Sequence, residues 1–147
     1  MRTLVLVAAA LAFLATPVAA KVALPKGEVR VIRVIDGDTV KTNDYKASIR
    51  LDGIDAPEIH KNVKTGYKCE EERELGLRAK ARLEELLAPP HKVVVERTGK
   101  FDQYGRRLTR IKSDGKNVNI TLVDEGLARV WDGEGPRPDW CATPAAK

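Results

Sequence analysis

Val34-Ile35-Asp36-Gly37-Asp38-Thr39-Val40 is followed, a few residues later, by Arg50-Leu51-Asp52-Gly53-Ile54-Asp55-Ala56-Pro57-Glu58. Each stretch contains an apolar run and a cluster of carboxylates, and an arginine opens the second stretch. Carboxylates concentrated in this way repel one another unless a cation neutralises them, and a divalent metal is the simplest candidate. A hard metal, a glutamate that is free to act as a base and an arginine are the components that hydrolyse a phosphodiester. The sequence therefore predicts a metal-assisted hydrolytic site where the two stretches meet.

The residues around these two motifs predict an antiparallel β-meander. Residues 28–35 are β-branched and partly alternating, as in a strand, and the alternation slips after Val31, which predicts a β-bulge. The turn at 36–38 leads into a returning strand that begins at Thr39, and residues 47–51 have the pattern of a third strand.

A change of period after the second motif predicts a long helix over residues 70–87. Its apolar residues recur at spacings of four, four and three, on one helical face: Leu75, Ala79, Leu83 and Leu86. Pro89-Pro90 ends this helix, strands are predicted at 92–98 and 107–111, and Asn117 is placed to cap a short second helix. This order predicts an α+β fold, an OB-fold five-stranded β-barrel with added helices, and such barrels commonly bind oligonucleotides.

The N-terminal residues 1–20 are predicted to be a signal peptide and not a part of the folded domain. A basic start at Arg2 is followed by an apolar core from Leu4 to Leu14 and by small residues up to Ala20, which is the order found in signal peptides. The alternative is a retained membrane anchor, but the apolar core is short for a transmembrane helix. We therefore expect an exported protein, periplasmic or secreted, with no membrane attachment after removal of the signal.

The charge of the chain suits a nucleic-acid partner, and its cysteines agree with export. The chain has 26 basic and 21 acidic residues, and its formal net charge of +5 suits a polyanion such as nucleic acid, although most of these charges describe an ordinary solvated surface. The two cysteines, Cys69 and Cys141, are expected to form a disulfide in an oxidising compartment. The bond would close a loop of about seventy residues, contribute roughly 4 kcal/mol, and tie down the Gly- and Pro-rich tail at 132–147, in which Trp140 is the other expected anchor.

Four segments together resemble the staphylococcal nuclease (thermonuclease-like) family. They are the two carboxylate-rich motifs, the loop Asp102-Gln103-Tyr104-Gly105-Arg106 and residues 119–128, in the order and with the spacing of that family. The resemblance defines a nuclease domain over 27–131. It implies an OB-fold barrel that hydrolyses phosphodiester bonds of DNA and RNA with calcium as its cofactor. We also expect a monomer without a stable protein partner.

The resemblance implies a set of metal ligands. Asp38 and Asp55 match the carboxylates that bind calcium in the family, and Ala56 stands where a backbone carbonyl completes the set. Calcium favours oxygen ligands and tolerates irregular geometry, so two carboxylates, a carbonyl and water molecules are a chemically reasonable set.

The resemblance also implies the catalytic residues. Glu58 matches the general base that takes a proton from the attacking water, and Arg50 and Arg106 match the two arginines that bind the scissile phosphate. The planar guanidinium fits two phosphate oxygens and stays charged at any working pH. Tyr104, in the loop that ends at Arg106, matches a residue that contacts the substrate.

Some positions stay open at this stage. Asp36 and Asp52, each next to a glycine, either support the site from behind the ligands or simply form turns. Gln103 stands where many family members have a lysine, so one phosphate contact is expected to be missing. Trp131 lies near the place of the tyrosines that stack on the nucleotide base in the family, and it either replaces them or points elsewhere.

Three functional hypotheses follow. The leading one is an exported, calcium-dependent endonuclease of thermonuclease type. The alternatives are a non-catalytic OB-fold module that binds nucleic acid and a structural calcium-binding domain. A binding module has no use for Glu58 beside a phosphate, and a calcium-binding domain has no use for Arg50, so their joint presence favours the nuclease.

Overall fold

The computed structural model describes residues 27–142, so the predicted signal peptide and residues 143–147 lie outside the described part of the chain. In chain order the elements are β1 (Val31–Val34), β2 (Thr39–Thr42), β3 (Ile49–Leu51), β4 (Ile54–Asp55), α1 (Glu70–Leu87), β5 (Val93–Phe101), β6 (Arg107–Ser113), β7 (Lys116–Asn117), α2 (Val118–Asp124) and β8 (Arg129–Val130). The α+β class and the two helices agree with the prediction. Among the described residues, no helix is long and apolar enough to cross a membrane.

Five strands form one hydrogen-bonded path in the order β1-β2-β3-β6-β5, as expected for an OB-like arrangement. The β1–β2 and β2–β3 pairs are antiparallel, which confirms the predicted meander, and the register shift between Val31 and Arg33 confirms the predicted bulge. The β3–β6 pair is parallel. The two outer strands of this path, β1 and β5, are not paired with each other, and an isolated bridge between Glu28 and Val94 links the two edges. Within residues 27–142 the strands therefore do not form a fully closed barrel.

The hydrophobic core lies between the sheet and the two helices. Leu83 and Leu87 of α1 and Leu122 of α2 are buried against sheet residues such as Val40 and Ile111. Burial of side chains of this size stabilises the fold by about 1.5–3 kcal/mol each. The apolar face predicted for α1 is confirmed in part: Ala79 and Leu83 are buried and Leu86 packs partly buried against the core. Leu75 is only half-buried and lies outside the core cluster, and Leu87 is buried instead.

Close backbone approaches bring α1 to the two carboxylate-rich motifs. A Cβ atom added to Gly37 would lie 2.7 Å from the Cβ of Ala56 and 2.8 Å from that of Ala79, so only glycine allows this contact. A Cβ atom added to Gly76 of α1 would lie 2.7 Å from the carbonyl oxygen of Pro57. The helix thus packs directly against the segment that carries the predicted site.

Hydrogen bonds at the start of α1 hold the same segment. The helix begins after Cys69, whose sulfur accepts a hydrogen bond from the backbone N–H of Glu72. The buried carboxylate of Glu72 accepts hydrogen bonds from the N–H groups of Glu58 and Lys68, at 3.3 and 2.8 Å. The backbone of Glu58 is therefore fixed by the helix, while its side chain remains free to face the site.

A second polar anchor holds the turn between β3 and β4. The side-chain amide of the buried Asn119, in α2, donates to the carbonyl oxygen of Asp52 at 2.9 Å and accepts from the N–H of Ile111 at 3.2 Å. Asn117 caps α2 by accepting from the N–H of Ile120, as predicted. The short second helix thereby positions the turn that leads into β4, the strand that carries Asp55.

Candidate active site

Asp38 lies at the end of the turn between β1 and β2, and its carboxylate is buried. One carboxylate oxygen, Oδ1, accepts from Nη1 of Arg50 at 2.6 Å and from the hydroxyl of Thr39 at 3.0 Å. The other, Oδ2, accepts from the N–H of Ala56 at 2.9 Å. The turn of the first motif is thereby joined to the arginine and to the end of the second motif.

Burial raises the pKa of Asp38 from its ordinary value of 3.8 to about 6. The guanidinium of Arg50 opposes this rise, and the neighbouring carboxylates of Asp36 and Asp55 add to it. Asp36 also accepts from the N–H of Asp38 at 3.2 Å, so it has a turn-forming role in addition to its charge. A buried carboxylate whose pKa is shifted by burial and by charged neighbours marks a candidate functional site.

Asp55, in β4, is fully buried and is surrounded by nitrogen donors. Its Oδ1 accepts from Nη2 of Arg50 at 3.0 Å and from Nε of Arg137 at 2.8 Å, and Nη2 of Arg137 lies 2.6 Å away. Its Oδ2 accepts from the indole N–H of Trp140 at 3.0 Å. Two arginines therefore neutralise this buried carboxylate, and three side chains donate hydrogen bonds to it.

Arg50, in β3, bridges the two predicted metal ligands. Its Nη1 contacts Asp38 and its Nη2 contacts Asp55, and only 8% of the residue is exposed. These two contacts leave three of its five N–H groups for other acceptors. Its guanidinium carbon lies 5.9 Å from the ring centroid of Trp131, which places that tryptophan beside the site.

Glu58 follows β4 and is partly exposed, in contrast to the two aspartates. Its Oε1 accepts from Nη1 of Arg137 at 2.7 Å, so Arg137 joins Glu58 to Asp55. The same guanidinium lies 3.5 Å from the carbonyl oxygen of Ala56. Burial lowers the pKa of Arg137, but the carboxylates of Asp55 and Glu58 outweigh this effect and raise it above its usual value, so the residue stays charged.

Arg106 lies at the end of the loop between β5 and β6. Asp102 accepts from Nε of Arg106 at 2.6 Å and from its backbone N–H at 2.9 Å. Burial raises the pKa of Asp102, but these hydrogen bonds outweigh it and hold the pKa below the usual value. Nη1 of Arg106 donates to the hydroxyl of Thr39 at 3.4 Å, and that hydroxyl in turn donates to Asp38, so the loop is connected to Asp38 and Arg50.

The structure thus brings the predicted residues together to different degrees. Arg50 directly contacts both Asp38 and Asp55. Arg137 joins Glu58 and the carbonyl of Ala56 to Asp55. Arg106 is linked to the cluster through Thr39. The ring of Tyr104 lies 5.4 Å from the guanidinium of Arg106 and is exposed, on the outer side of that loop.

The predicted metal ligands suit calcium by chemistry, because all of them are carboxylate or carbonyl oxygens. A guanidinium already contacts Asp55, Glu58 and the carbonyl of Ala56, so these oxygens face one cation. Asp38 and Asp55 are joined by a second guanidinium, that of Arg50. The donor set therefore fits a divalent ion, with arginines holding the oxygens that the ion would use.

Within residues 27–142, one three-residue group of possible metal ligands has all its ligand atoms within 4.8 Å of one another: Cys69, Glu72 and Cys141. The two sulfurs of this group are bonded to each other in a disulfide, which confirms the predicted pairing of Cys69 with Cys141. A disulfide offers no thiolate to a metal, so this cluster does not favour metal binding.

Two functional side chains, Arg137 and Trp140, are missing from the sequence-based site. The tail was predicted to be docked through Trp140 and the disulfide, and both contacts are present. Its chemical contribution was not predicted, because nothing in the local sequence links residues this close to the C-terminus with Asp55. A signal that could have found it is the presence of an arginine in the segment 137–141, which contains both expected anchors.

A cation–aromatic cluster lies where β5 ends and β6 begins. The guanidinium of Arg107 lies 4.3 Å from the ring centroid of Tyr45 and 5.8 Å from that of Phe101. Phe101 is 57% exposed, and Lys100 precedes it in the sequence. Exposed aromatic rings beside cationic side chains are the usual features of surfaces that bind single-stranded nucleic acid.

Comparison with known proteins places this site in a family. The family model described as staphylococcal nuclease homologue matches residues 48–139. The chain is 37% identical over 101 residues to endonuclease YncB of Bacillus subtilis, a match that covers 67% of this chain and 45% of that protein. It is 35% identical over 106 residues to the SPbeta prophage-derived endonuclease YokF of the same organism, covering 70% of this chain and 34% of YokF.

An uncharacterised endonuclease of Escherichia coli O157:H7 is 34% identical over 106 residues, and the match covers 70% of this chain and 60% of that protein. The matches thus span between about a third and three fifths of the length of these curated relatives.

Proposed function

This chain belongs to the staphylococcal nuclease family, and from that premise we propose that it is a calcium-dependent endonuclease that hydrolyses phosphodiester bonds of DNA and RNA. The observation that carries the proposal is the bridge that Arg50 forms between the buried Asp38 and Asp55. It holds two hard-oxygen ligands and a phosphate-binding group in one place, next to Glu58. The names of the relatives, three of which are endonucleases, support the same reaction class.

In the proposed reaction, a water molecule attacks the phosphorus, and Glu58 accepts the proton that the water loses. As the new phosphorus–oxygen bond forms, the bond to the leaving sugar oxygen breaks, and that oxygen takes a proton from solvent. The side chain of Glu58 is suited to this role because it is partly exposed while its backbone is fixed by Glu72. Calcium, when bound by Asp38, Asp55 and the carbonyl of Ala56, supplies positive charge that offsets the charge of the phosphate.

The two arginines bind and orient the phosphate. Arg50 uses two of its N–H groups to hold Asp38 and Asp55, and the remaining groups are available to phosphate oxygens. Arg106 is oriented by Asp102, so its guanidinium is presented in a fixed position. Preorganised donors of this kind stabilise the charge that builds on the phosphate without further rearrangement.

The substrate is proposed to bind along a basic and aromatic surface that begins at Tyr104. Tyr104 lies next to Arg106, and we propose that the cluster of Tyr45, Arg107 and Phe101, at the ends of β5 and β6, supplies further contacts. Stacking on aromatic side chains depends little on base identity, and it supports a substrate range that includes both DNA and RNA. Trp131, beside Arg50, is the candidate for contact with the base next to the scissile bond.

The proposed setting is outside the cytoplasm. The N-terminal pattern of residues 1–20 indicates export, and the disulfide between Cys69 and Cys141 is the kind of bond that persists in an oxidising compartment. Within that setting we propose a monomer that acts on nucleic acid without a stable protein partner.

The experiment that tests this function incubates the purified protein with plasmid DNA and with RNA, with added calcium or a chelator in parallel. Glu58→Gln, Arg50→Ala and Arg106→Ala should each reduce turnover by about 10²–10³-fold, because each removes a group that acts in the transition state. Glu96→Gln is a matched control, since Glu96 pairs with Lys112 at the surface. Cleavage at the parental rate in all three site variants would show that the reaction occurs elsewhere.

The non-catalytic alternative gives a different result in the same experiment. A binding module would retard the DNA on a gel and leave it intact, with or without calcium. The presence of Glu58 within 2.7 Å of a site arginine, where pure binding has no use for a carboxylate, favours the enzyme.

A further inference from the structure

We propose that Arg137 sets the calcium affinity of the site, because its guanidinium is a tethered cation that competes with the ion for the same oxygens. Its Nη1 lies 2.7 Å from Glu58, and its Nη2 lies 2.6 Å from Asp55 and 3.5 Å from the carbonyl oxygen of Ala56. These are the proposed base and two of the proposed calcium ligands. The inference rests on the proposed function, because it concerns the metal step of that reaction.

The tail segment that carries Arg137 is held close to the site at its C-terminal side. Cys141, four residues after Arg137, is bonded to Cys69 at the start of α1. Trp140, which is buried, donates its indole N–H to Asp55 at 3.0 Å. Arg137 therefore cannot diffuse away when it leaves the carboxylates, and its effective concentration at the site stays high.

The segment is also held by the part of the chain that precedes it. The backbone N–H of Trp131 donates to the carbonyl oxygen of Gly53 at 3.0 Å. The guanidinium of Arg129 lies 4.2 Å from the ring centroid of Trp140 and donates to the carbonyl oxygen of Asp139 at 2.7 Å. With both sides fixed, the loop between Trp131 and Trp140 returns Arg137 to the same place after each departure.

Asp55 is the group for which the two cations compete. Its Oδ1 accepts from both Arg50 and Arg137, and its Oδ2 accepts from Trp140. Oδ1 is the oxygen that shares Arg137 with Glu58 and the carbonyl of Ala56, and both of its lone pairs are already used, so one donor has to leave if the ion coordinates this oxygen. Arg50 is 8% exposed and also bound to Asp38, whereas a third of the side chain of Arg137 is exposed and its segment has no regular secondary structure.

The charges of the site also indicate that Arg137 is the group that leaves when the ion binds. Three carboxylates, those of Asp38, Asp55 and Glu58, face the two guanidinium groups of Arg50 and Arg137. A divalent ion bound by Asp55 and the carbonyl of Ala56 would lie next to the guanidinium of Arg137, and the repulsion between these two positive charges is costly in a partly buried cluster. Departure of Arg137 as the ion enters removes that repulsion and frees Glu58.

The test is a calorimetric titration of calcium chloride into the folded, oxidised protein. Arg137→Gln should bind calcium at least about tenfold more tightly than the parent, because it lacks the charge-assisted hydrogen bonds with which the ion competes. Arg137→Lys keeps the charge but loses the forked geometry, and its affinity should fall between the two. Arg97→Gln is the control for the loss of one positive charge, since Arg97 pairs with Asp44 at the surface, and its calcium affinity should equal that of the parent.

The same titration on the parent after reduction of the disulfide gives a second measurement that needs no substitution. Reduction releases one side of the tail and should tighten calcium binding several-fold, provided that circular dichroism shows an intact fold. This arm also decides the matter if Arg137→Gln fails to fold. Equal or weaker calcium binding in the folded Arg137→Gln protein, or in the reduced parent if that variant does not fold, would overturn the proposal.

A nuclease assay run beside the titration separates this proposal from the proposed function. If parent and Arg137→Gln bind calcium equally and both cleave DNA only with calcium, the competition is refuted and the proposed function stands. If neither binds calcium and both cleave DNA in chelator, the competition and the calcium requirement fail together.

Discussion

The disulfide between Cys69 and Cys141 should make a large contribution to stability, and replacing both cysteines by serine should remove it. The bond joins residues that are 72 positions apart. In the chain-entropy model, closing a loop of this length restricts the unfolded chain enough to contribute roughly 4 kcal/mol. For a domain of this size, a loss of this magnitude corresponds to a decrease of about 10–20 °C in the melting temperature.

Other contacts of the tail do not replace this contribution. The indole of Trp140 and the guanidinium of Arg137 contact Asp55 and Glu58 without involving the sulfurs, so we expect these contacts to form, less firmly held, in the folded double variant. Their weakening adds to the loss of stability and does not offset it. The difference in melting temperature between parent and double variant therefore reports chiefly the effect of the covalent link on the unfolded chain.

Calorimetric melts of the oxidised parent and of the double serine variant measure this difference. Both are recorded in chelator, so that a difference in bound calcium does not contribute. The reduced parent should melt at the temperature of the double variant, and reductant should leave the double variant unchanged. Limited proteolysis should cut the tail of the double variant within residues 132–142 before the rest of the domain. A decrease below about 3 °C, with a tail as resistant as that of the parent, would refute the loop-entropy argument.

Three further outcomes follow from the site. Calcium should raise the melting temperature of the parent, since a ligand that binds only the folded state stabilises it, and Asp38→Ala should abolish this shift; an equal shift in the variant would place the ion elsewhere. In chelator, the raised pKa of Asp38 means that the folded state binds the proton more tightly than the unfolded state, so this residue should lower the stability as pH rises from about 4 to about 6. Melts of the parent and of Asp38→Asn across that range check the sign, because the variant lacks the titration; equal slopes in the two proteins would contradict it. Phe101→Ala should raise KM for a long single-stranded substrate several-fold and leave kcat unchanged. Ile120→Ala, which removes an equally exposed apolar side chain from α2, should leave KM unchanged, and equal KM values in the two variants would remove Phe101 from the substrate surface.

The parts of the fold that depend on neighbouring residues were predictable from the sequence. The bounds of α1, Glu70–Leu87, follow from the spacing of its apolar residues and from the prolines behind it. The cap at Asn117 and the bulge near Val31 have local signatures of the same kind. In each case the residues that cause the structure lie within a few positions of it.

The pairings between distant strands were not predictable in this way. The parallel β3–β6 pair, with Ile49 opposite Arg107, and the antiparallel β4–β8 pair, with Ile54 opposite Val130, are set by how the whole chain packs. No local pattern distinguishes them from other pairings, because a buried strand is apolar whatever its partner is.

The candidate site divides along the same line. Asp38 and Arg50 lie on the β1–β3 meander and Asp55 follows it directly in β4, so the sequence was sufficient to expect them together. Arg137 reaches the site because the disulfide at Cys141 and the contacts of Trp140 hold the tail beside it. The pairing of the cysteines was predictable from their number and setting, but the side chains that the bond would deliver to the site were not.

The contacts of the tail stabilise the protein without calcium, and the proposed binding of calcium has to displace them. A buried carboxylate without donors costs several kcal/mol, and Asp55 has no exposed surface through which water satisfies it. Arg50 divides its N–H groups between Asp55 and Asp38 and does not satisfy Asp55 by itself, so Arg137 and Trp140 supply the donors that Asp55 otherwise lacks. Because the same oxygens are the proposed ligands, every increase in the strength of tail docking should appear as weaker calcium binding. Removing the arginine should therefore lower the stability of the calcium-free protein and raise its affinity for the ion, two effects of opposite sign from one side chain.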